Sequence, residues 1–271
     1  MKKLLILLLL SASVFAHDES SALLLAQERD RLIVGVKTDT PLFGLKELNS
    51  EEIKGFDIEL AGLITHYLLG DAHKVVLKAV NAQTRFSILQ NAEVDILIAT
   101  VAITEERKQL ADFSESYFEV GESILVDRDS KIMNLSDLAH KKVIVVKGTH
   151  AATILPKKMP SAKLLPYENY GDAVKALRKG EGVALVTGSG ILMGIQKENP
   201  DLHTVGGFFT FESYGIAVRK GDELMLEAVN TALRKIRAAG EYNTIYQKWF
   251  GELVEKEYDK FYQQKFGHLF K

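Results

Sequence analysis

The stretch Val94-Asp-Ile-Leu-Ile-Ala-Thr-Val-Ala-Ile-Thr-Glu-Glu-Arg107 decides the fold. Its first six residues are apolar except for Asp95 and read as a short buried strand. Thr104, followed by Glu105 and Glu106, carries the residue types that cap and charge a helix N-terminus. A strand that runs this directly into a helix is the repeating unit of α/β architecture. The same order recurs on both sides. Upstream, residues 32–36 form an apolar run ending in a turn at 38–44. Ile58, Ala61, Ile64 and Leu68 then recur on one helical face that Gly70 stops. Residues 75–80 read as a strand and 84–91 as a helix. Downstream, 142–146 and 183–186 read as strands, 171–178 and 188–197 as helices. Met225, Val229, Leu233 and Ile236 mark a long final helix ending at Gly240. The alternation predicts an α/β protein with mostly parallel sheet, whose ligand sits where strands turn into helices: 37–44, 99–107, 147–152 and 187–190.

Composition narrows the chemistry. The chain has 271 residues, 46% apolar and 26% charged, with 34 basic against 36 acidic side chains and no cysteine. A net charge of −2 gives no general grip on nucleic acid. The missing cysteine excludes thiol nucleophiles, Cys-ligated zinc, disulfides and a lipid-modified N-terminal cysteine. Met1-Lys2-Lys3, the apolar run Leu4 to Leu10 and the small-residue pattern Val14-Phe15-Ala16 read as a secretory signal peptide over 1–16, cleaved after Ala16. The run is too short to span a bilayer. A soluble periplasmic protein, monomeric and without a lipid anchor, is the expectation. At the other end, 252–271 mixes aromatic and charged residues as an amphipathic tail would.

Enzyme motifs fail in turn. No two of the seven histidines share the i, i+4 spacing of a helical metal site, so no metal is expected, and no cofactor is implied. Thr187-Gly188-Ser189-Gly190 lacks the first glycine of a nucleophile elbow. What remains is a pair of arginines at helix starts, Arg85 and Arg107. A guanidinium there, beside free backbone N–H groups, suits a carboxylate.

At this point the residues reach a resemblance. Leu32-Ile-Val-Gly-Val-Lys-Thr-Asp39, Gly55-Phe-Asp-Ile-Glu-Leu-Ala61, Val94 to Ala99, Ile103-Thr-Glu-Glu-Arg107, Asp112-Phe-Ser114, Ser213-Tyr-Gly-Ile-Ala217 and Tyr242 to Gly251 occur in register. Together they resemble the family 3 bacterial extracellular solute-binding proteins, receptors of polar amino-acid ABC importers, over residues 28–251. The resemblance implies a two-lobed periplasmic-binding-protein fold of type II. Lobe 1 would be 28–117 with 214–251, and lobe 2 would be 118–213. It implies a small carboxylate ligand, an acidic or polar amino acid or a dicarboxylate, and a membrane permease as partner. By position, Arg107 clamps the ligand carboxylate with Thr149 and the His150 N–H, the latter two within Lys147-Gly-Thr-His150. Ala99, Thr100 and Ala102 line the first lobe and Thr187 the second. Asp39 and Phe43 line the side-chain pocket, and Arg85 resembles the arginine of the aspartate- and glutamate-binding subgroup.

Two positions depart from the pattern. Gly188 stands where the family carries an ammonium-binding aspartate, and Ala102 where it carries a hydroxyl. A buried ammonium without its carboxylate loses about 3–5 kcal/mol. Either another acid, such as Asp39 or Glu212, takes over, or the ligand has no free amine. An amine-free ligand would also fit a dehydratase of the same fold acting on a prephenate-like dicarboxylate, with His150 as proton-transfer candidate. A surface or adhesion protein using the tail is a further alternative.

Overall fold

The computed structural model describes residues 21–47 and 50–251. The expected signal peptide and C-terminal tail lie outside the described residues.

Continuous apolar runs form the centre of two sheets, as strands covered on both faces require. In the first sheet β1 (Leu32–Val36) lies between β5 (Val75–Ala79) and β6 (Ile96–Leu97), all parallel. The long β7 (Ala111–Val120) and β13 (Glu212–Arg219) complete it antiparallel, giving the order β5-β1-β6-β13-β7. The second sheet repeats the plan. Parallel β10 (Lys163–Tyr167), β9 (Lys142–Val146) and β11 (Ala184–Gly188) are followed by antiparallel β8 (Glu122–Asp127) and β12 (Leu202–Val205). Helices α2 (Phe56–Leu69) and α8 (Glu223–Ala238) cover the first sheet, α8 burying Met225, Val229, Leu233 and Ile236 completely. Helices α5 (His150–Lys158), α6 (Tyr170–Arg178) and α7 (Ser189–Glu198) cover the second. Two short helices, α3 (Arg85–Gln90) and α4 (Glu105–Lys108), fill the turns at the rim of the first sheet.

The chain crosses between the sheets twice. It leaves the first at Gly121, between β7 and β8, and returns through residues 206–211 into β13. Phe118 and Val120 pair with Tyr214 and Glu212 next to the crossing. The pairing keeps both crossing segments side by side, which is the geometry of a two-strand hinge.

Two segments differ from expectation. Residues 38–47 and 53–54 are not only a turn. They form a small antiparallel sheet of β2 (Asp39–Thr40), β3 (Gly44–Lys46) and β4 (Ile53–Lys54). A helix, α1 (Ala22–Glu28), precedes β1. It is held by one carboxylate: Asp222 accepts from the Ser21 hydroxyl (2.7 Å) and the Ala22 N–H (2.8 Å), and from the Met225 N–H (3.1 Å) at the start of α8. That tie spans 200 residues and leaves no local signal.

The lobes are closed on each other. Tyr170 N–H donates to Asp39 Oδ2 (3.3 Å), Lys157 pairs with Glu106 (3.2 Å), and the Gln83 amide donates to Glu168.

Candidate functional site

The turn after β6 is built before any ligand arrives. Thr100 has a left-handed backbone (φ 49°), an uncommon state for a β-branched residue. Asp57, fully buried in the first turn of α2, accepts the Thr100 N–H (3.1 Å) and holds that turn in place. Burial raises the Asp57 carboxyl to about 7, against the lowering effect of the Thr100 N–H. The bent turn aims the carbonyls of Ala99 and Thr100 at Arg85, whose Nη1 donates to both (2.7 and 3.4 Å). Ahead of Arg85, Asn81 Oδ1 accepts the N–H groups of Gln83 and Thr84 (both 2.9 Å), an Asx turn that sets the start of α3.

Thr104 caps α4, its hydroxyl accepting the Arg107 N–H (3.2 Å). The Arg107 guanidinium donates from Nη1 to Ala102 O (2.9 Å) and from Nη2 across the cleft to Gly148 O (3.1 Å). Both guanidiniums lie over the Phe86 ring, 5.6 and 6.0 Å from its centroid. Among the described residues neither pairs with a carboxylate. Burial, with Arg107 adding repulsion, lowers Arg85 to about 9, and burial also lowers Arg107. Lys37, 2% exposed, is a third cation; its Nζ lies 2.7 Å from Asp39 Oδ1. Three cations thus meet in the cleft, and among the described residues only Lys37 is within ion-pair distance of a carboxylate. Such a site takes an anionic group.

A narrow pocket lies between the lobes. Of the expected residues it gathers Arg85, Thr100, Ala102, Arg107, Thr149, His150, Thr187 and Gly188. Thr149 stands at the N-cap position of α5, but its hydroxyl makes no cap bond and donates instead to Val146 O (2.6 Å). The Thr187 hydroxyl is bonded to the Tyr170 hydroxyl (2.8 Å). The other expected residues stand elsewhere. Ala99 contributes only its carbonyl to Arg85, and Asp39 sits behind Lys37 and Tyr170. Phe43 does not line the pocket: its ring packs against Phe118 (5.0 Å) and Phe250 (5.1 Å) in the aromatic core. Lys147 is 40% exposed at the cleft mouth, paired with Glu168.

The pocket also holds Tyr170 and Glu122, which sequence reasoning did not name, and Lys37 and Tyr214, which it named only within longer segments. Glu122 opens β8, and cross-strand register sets it opposite Gly188. His150 Nδ1 stands 3.2 Å from Glu122 Oε1 and 3.3 Å from Glu212 Oε1. Burial and the neighbouring Glu122 raise the Glu212 carboxyl to about 7, opposed by His150. The three side chains offer donor atoms within 4.8 Å of one another, a set able to hold a cation. Histidine spacing could not find it, because its members come from three separate segments.

Two hinged α/β lobes closed over a polar pocket define a solute receptor of the binding-protein class. The profile of the bacterial extracellular solute-binding proteins, family 3, matches residues 32–252, and the chain belongs to that family. It is 43% identical over 237 residues to the ABC transporter glutamine-binding protein GlnH of Bacillus subtilis (strain 168), covering 87% of each chain. Among solved structures, an ancestral arginine-binding protein bound to glutamine matches with a TM-score of 0.77 and 38% identity, covering 82% of this chain and 99% of the other. The cysteine-binding protein of Campylobacter jejuni matches with a TM-score of 0.81 and 28% identity over 84% and 92%. Among the described residues no helix is long and apolar enough to cross a membrane.

Proposed function

We propose that this receptor binds a polar L-amino acid whose side chain ends in an acceptor oxygen, glutamine first and glutamate as its competitor. It would work in the periplasm, deliver the ligand to an ABC permease and carry out no chemistry on it. One observation carries the reading: two guanidiniums, the buried Arg85 and the half-buried Arg107, line one pocket with no carboxylate paired to either among the described residues. Arg107 takes the α-carboxylate in a charge-assisted fork, helped by the N-terminus of α5 at Thr149 and His150. Arg85 and Lys37 face the far end of the ligand, where a carboxamide or carboxylate oxygen accepts. The glutamine named for two of the similar proteins supports the amide. The Arg107–Gly148 bond across the cleft couples ligand capture to lobe closure, so the closed state presents a distinct face to the permease.

A thermal-shift screen of refolded protein tests the reading. A ligand at a thousand times its Kd adds about 4 kcal/mol. The expected result is a shift with L-glutamine or L-glutamate and none with L-lysine or L-leucine. Shifts only with apolar or cationic amino acids would overturn it. Incubation with prephenate or arogenate is expected to leave the ultraviolet spectrum unchanged, and turnover would restore the dehydratase reading.

A further inference from the structure

Position 188 has no space for the acid that the family resemblance places there. A Cβ on Gly188 would lie 2.6 Å from the Tyr214 hydroxyl and 2.9 Å from Val120 Cγ2. An aspartate side chain would have to displace a buried tyrosine on the facing hinge strand. The negative charge stands instead one strand away, directly opposite in register, on Glu122. Its side chain is 6% exposed and lines the same pocket as Arg107. His150 Nδ1 lies between Glu122 Oε1 and Glu212 Oε1, so a single ring nitrogen serves two carboxylates. That leaves Glu122 Oε2 and Glu212 Oε2 buried and without a hydrogen-bond partner. Buried acceptor oxygens left open in this way call for a donor.

From this geometry we infer that Glu122 is the ammonium-binding residue of the ligand site, with His150 and Glu212 positioning it. The inference rests on the amino-acid reading above and deepens it. The arrangement has a physical logic. A primary ammonium carries three N–H donors, and Glu122 Oε2 offers a charge-assisted acceptor inside a cleft that excludes water. Arg107 and Glu122 then read the zwitterion from opposite sides: the first comes from the rim of the first lobe, the second from the start of the hinge strand that enters the second lobe. Both groups meet one ligand only when the lobes close. The amine thus becomes part of what holds the hinge shut.

The test compares ligands with and without the amine by isothermal titration: L-glutamine against glutaramate, and L-glutamate against glutarate. The wild-type protein is expected to prefer each amine-bearing ligand by at least about 100-fold. In Glu122→Gln that preference collapses to within about tenfold, while affinity for the amine-free acid changes little or rises. Glu212→Gln keeps most of the preference, which separates positioning from contact. A wild-type protein that binds glutaramate as tightly as glutamine overturns the inference and leaves the receptor reading standing. Binding of none of the four ligands overturns the receptor reading itself. Stoichiometric zinc binding that Glu122→Gln abolishes, with the amine preference intact in that variant, would make the cluster a metal site and overturn the inference.

Discussion

Arg107→Met removes the group on which the account leans most. In the unliganded protein the guanidinium is half-buried near Arg85, bonded to Ala102 O (2.9 Å) and Gly148 O (3.1 Å). Burial already disfavours its charge, so methionine of similar length relieves desolvation and repulsion while losing two hydrogen bonds to carbonyls. These effects oppose one another at about 1–3 kcal/mol each. The unliganded Tm is therefore expected to stay within about 3 °C of wild type, since 1 kcal/mol moves a protein of this size by about 2–4 °C. Ligand binding responds very differently. Truncating one partner of a buried charge pair costs about 3–5 kcal/mol, or roughly 150- to 5,000-fold in Kd. The assay is isothermal titration of both proteins with L-glutamine and L-glutamate, alongside unliganded melts. A folded variant that binds within tenfold of wild type would refute the carboxylate role of Arg107.

The remaining predictions probe the second arginine, the hinge and the titrating acids. Arg85→Met is expected to weaken L-glutamate about tenfold more than L-glutamine, because a carboxylate loses more than a carboxamide when the facing charge goes; equal losses would move Arg85 out of the side-chain pocket. Gly148 has φ 74°, and a Cβ there would lie 2.5 Å from Ala82 O across the cleft. Gly148→Ala should therefore lower affinity by tenfold or more and leave the liganded protein larger by small-angle scattering than wild type; full closure would contradict this. Glu212 and Asp57 are both raised to about 7 by burial, above their unfolded values of 4.5 and 3.8. Their protonated forms favour the fold, so the contribution of these two groups to unliganded stability is fully present below about pH 4, declines as pH rises and is lost through pH 7, while the rest of the fold's stability remains. A melt series from pH 8 to 5 should show Tm rising. Glu212 is faced by Glu122, His150, Arg107 and Thr210, and an ammonium added to that group favours its ionised form. Binding at pH 7 should accordingly release protons, seen as a buffer-dependent heat; heats identical in all buffers would contradict the coupling.

The sequence was most informative where a function needs one local segment. Thr104, Glu105, Glu106 and Arg107 announce a capped helix start, and Arg85 stands at the start of the helix read over 84–91. The large α/β elements were equally legible because apolar runs and helical periodicity are local signals. What could not be read depends on register and distance. Glu122 looks like any strand-opening acid until β8 is paired with β11 and sets it opposite Gly188. Glu212 and His150 join it from segments 62 residues apart in the chain. Asp57 looks like an ordinary first-turn acid, yet it is fully buried and bonded to the strained Thr100. Phe43, assigned to the side-chain pocket by the family resemblance, instead turns its ring into the aromatic core with Phe56, Phe118 and Phe250.

A crystal structure of the protein with L-glutamine or L-glutamate bound would test the central claim most directly. The account predicts the ligand carboxylate within about 3 Å of Arg107 and its ammonium within about 3 Å of Glu122, in a closed cleft. A ligand whose ammonium points away from Glu122, or whose carboxylate leaves Arg107 bonded only to Ala102 and Gly148, would contradict it.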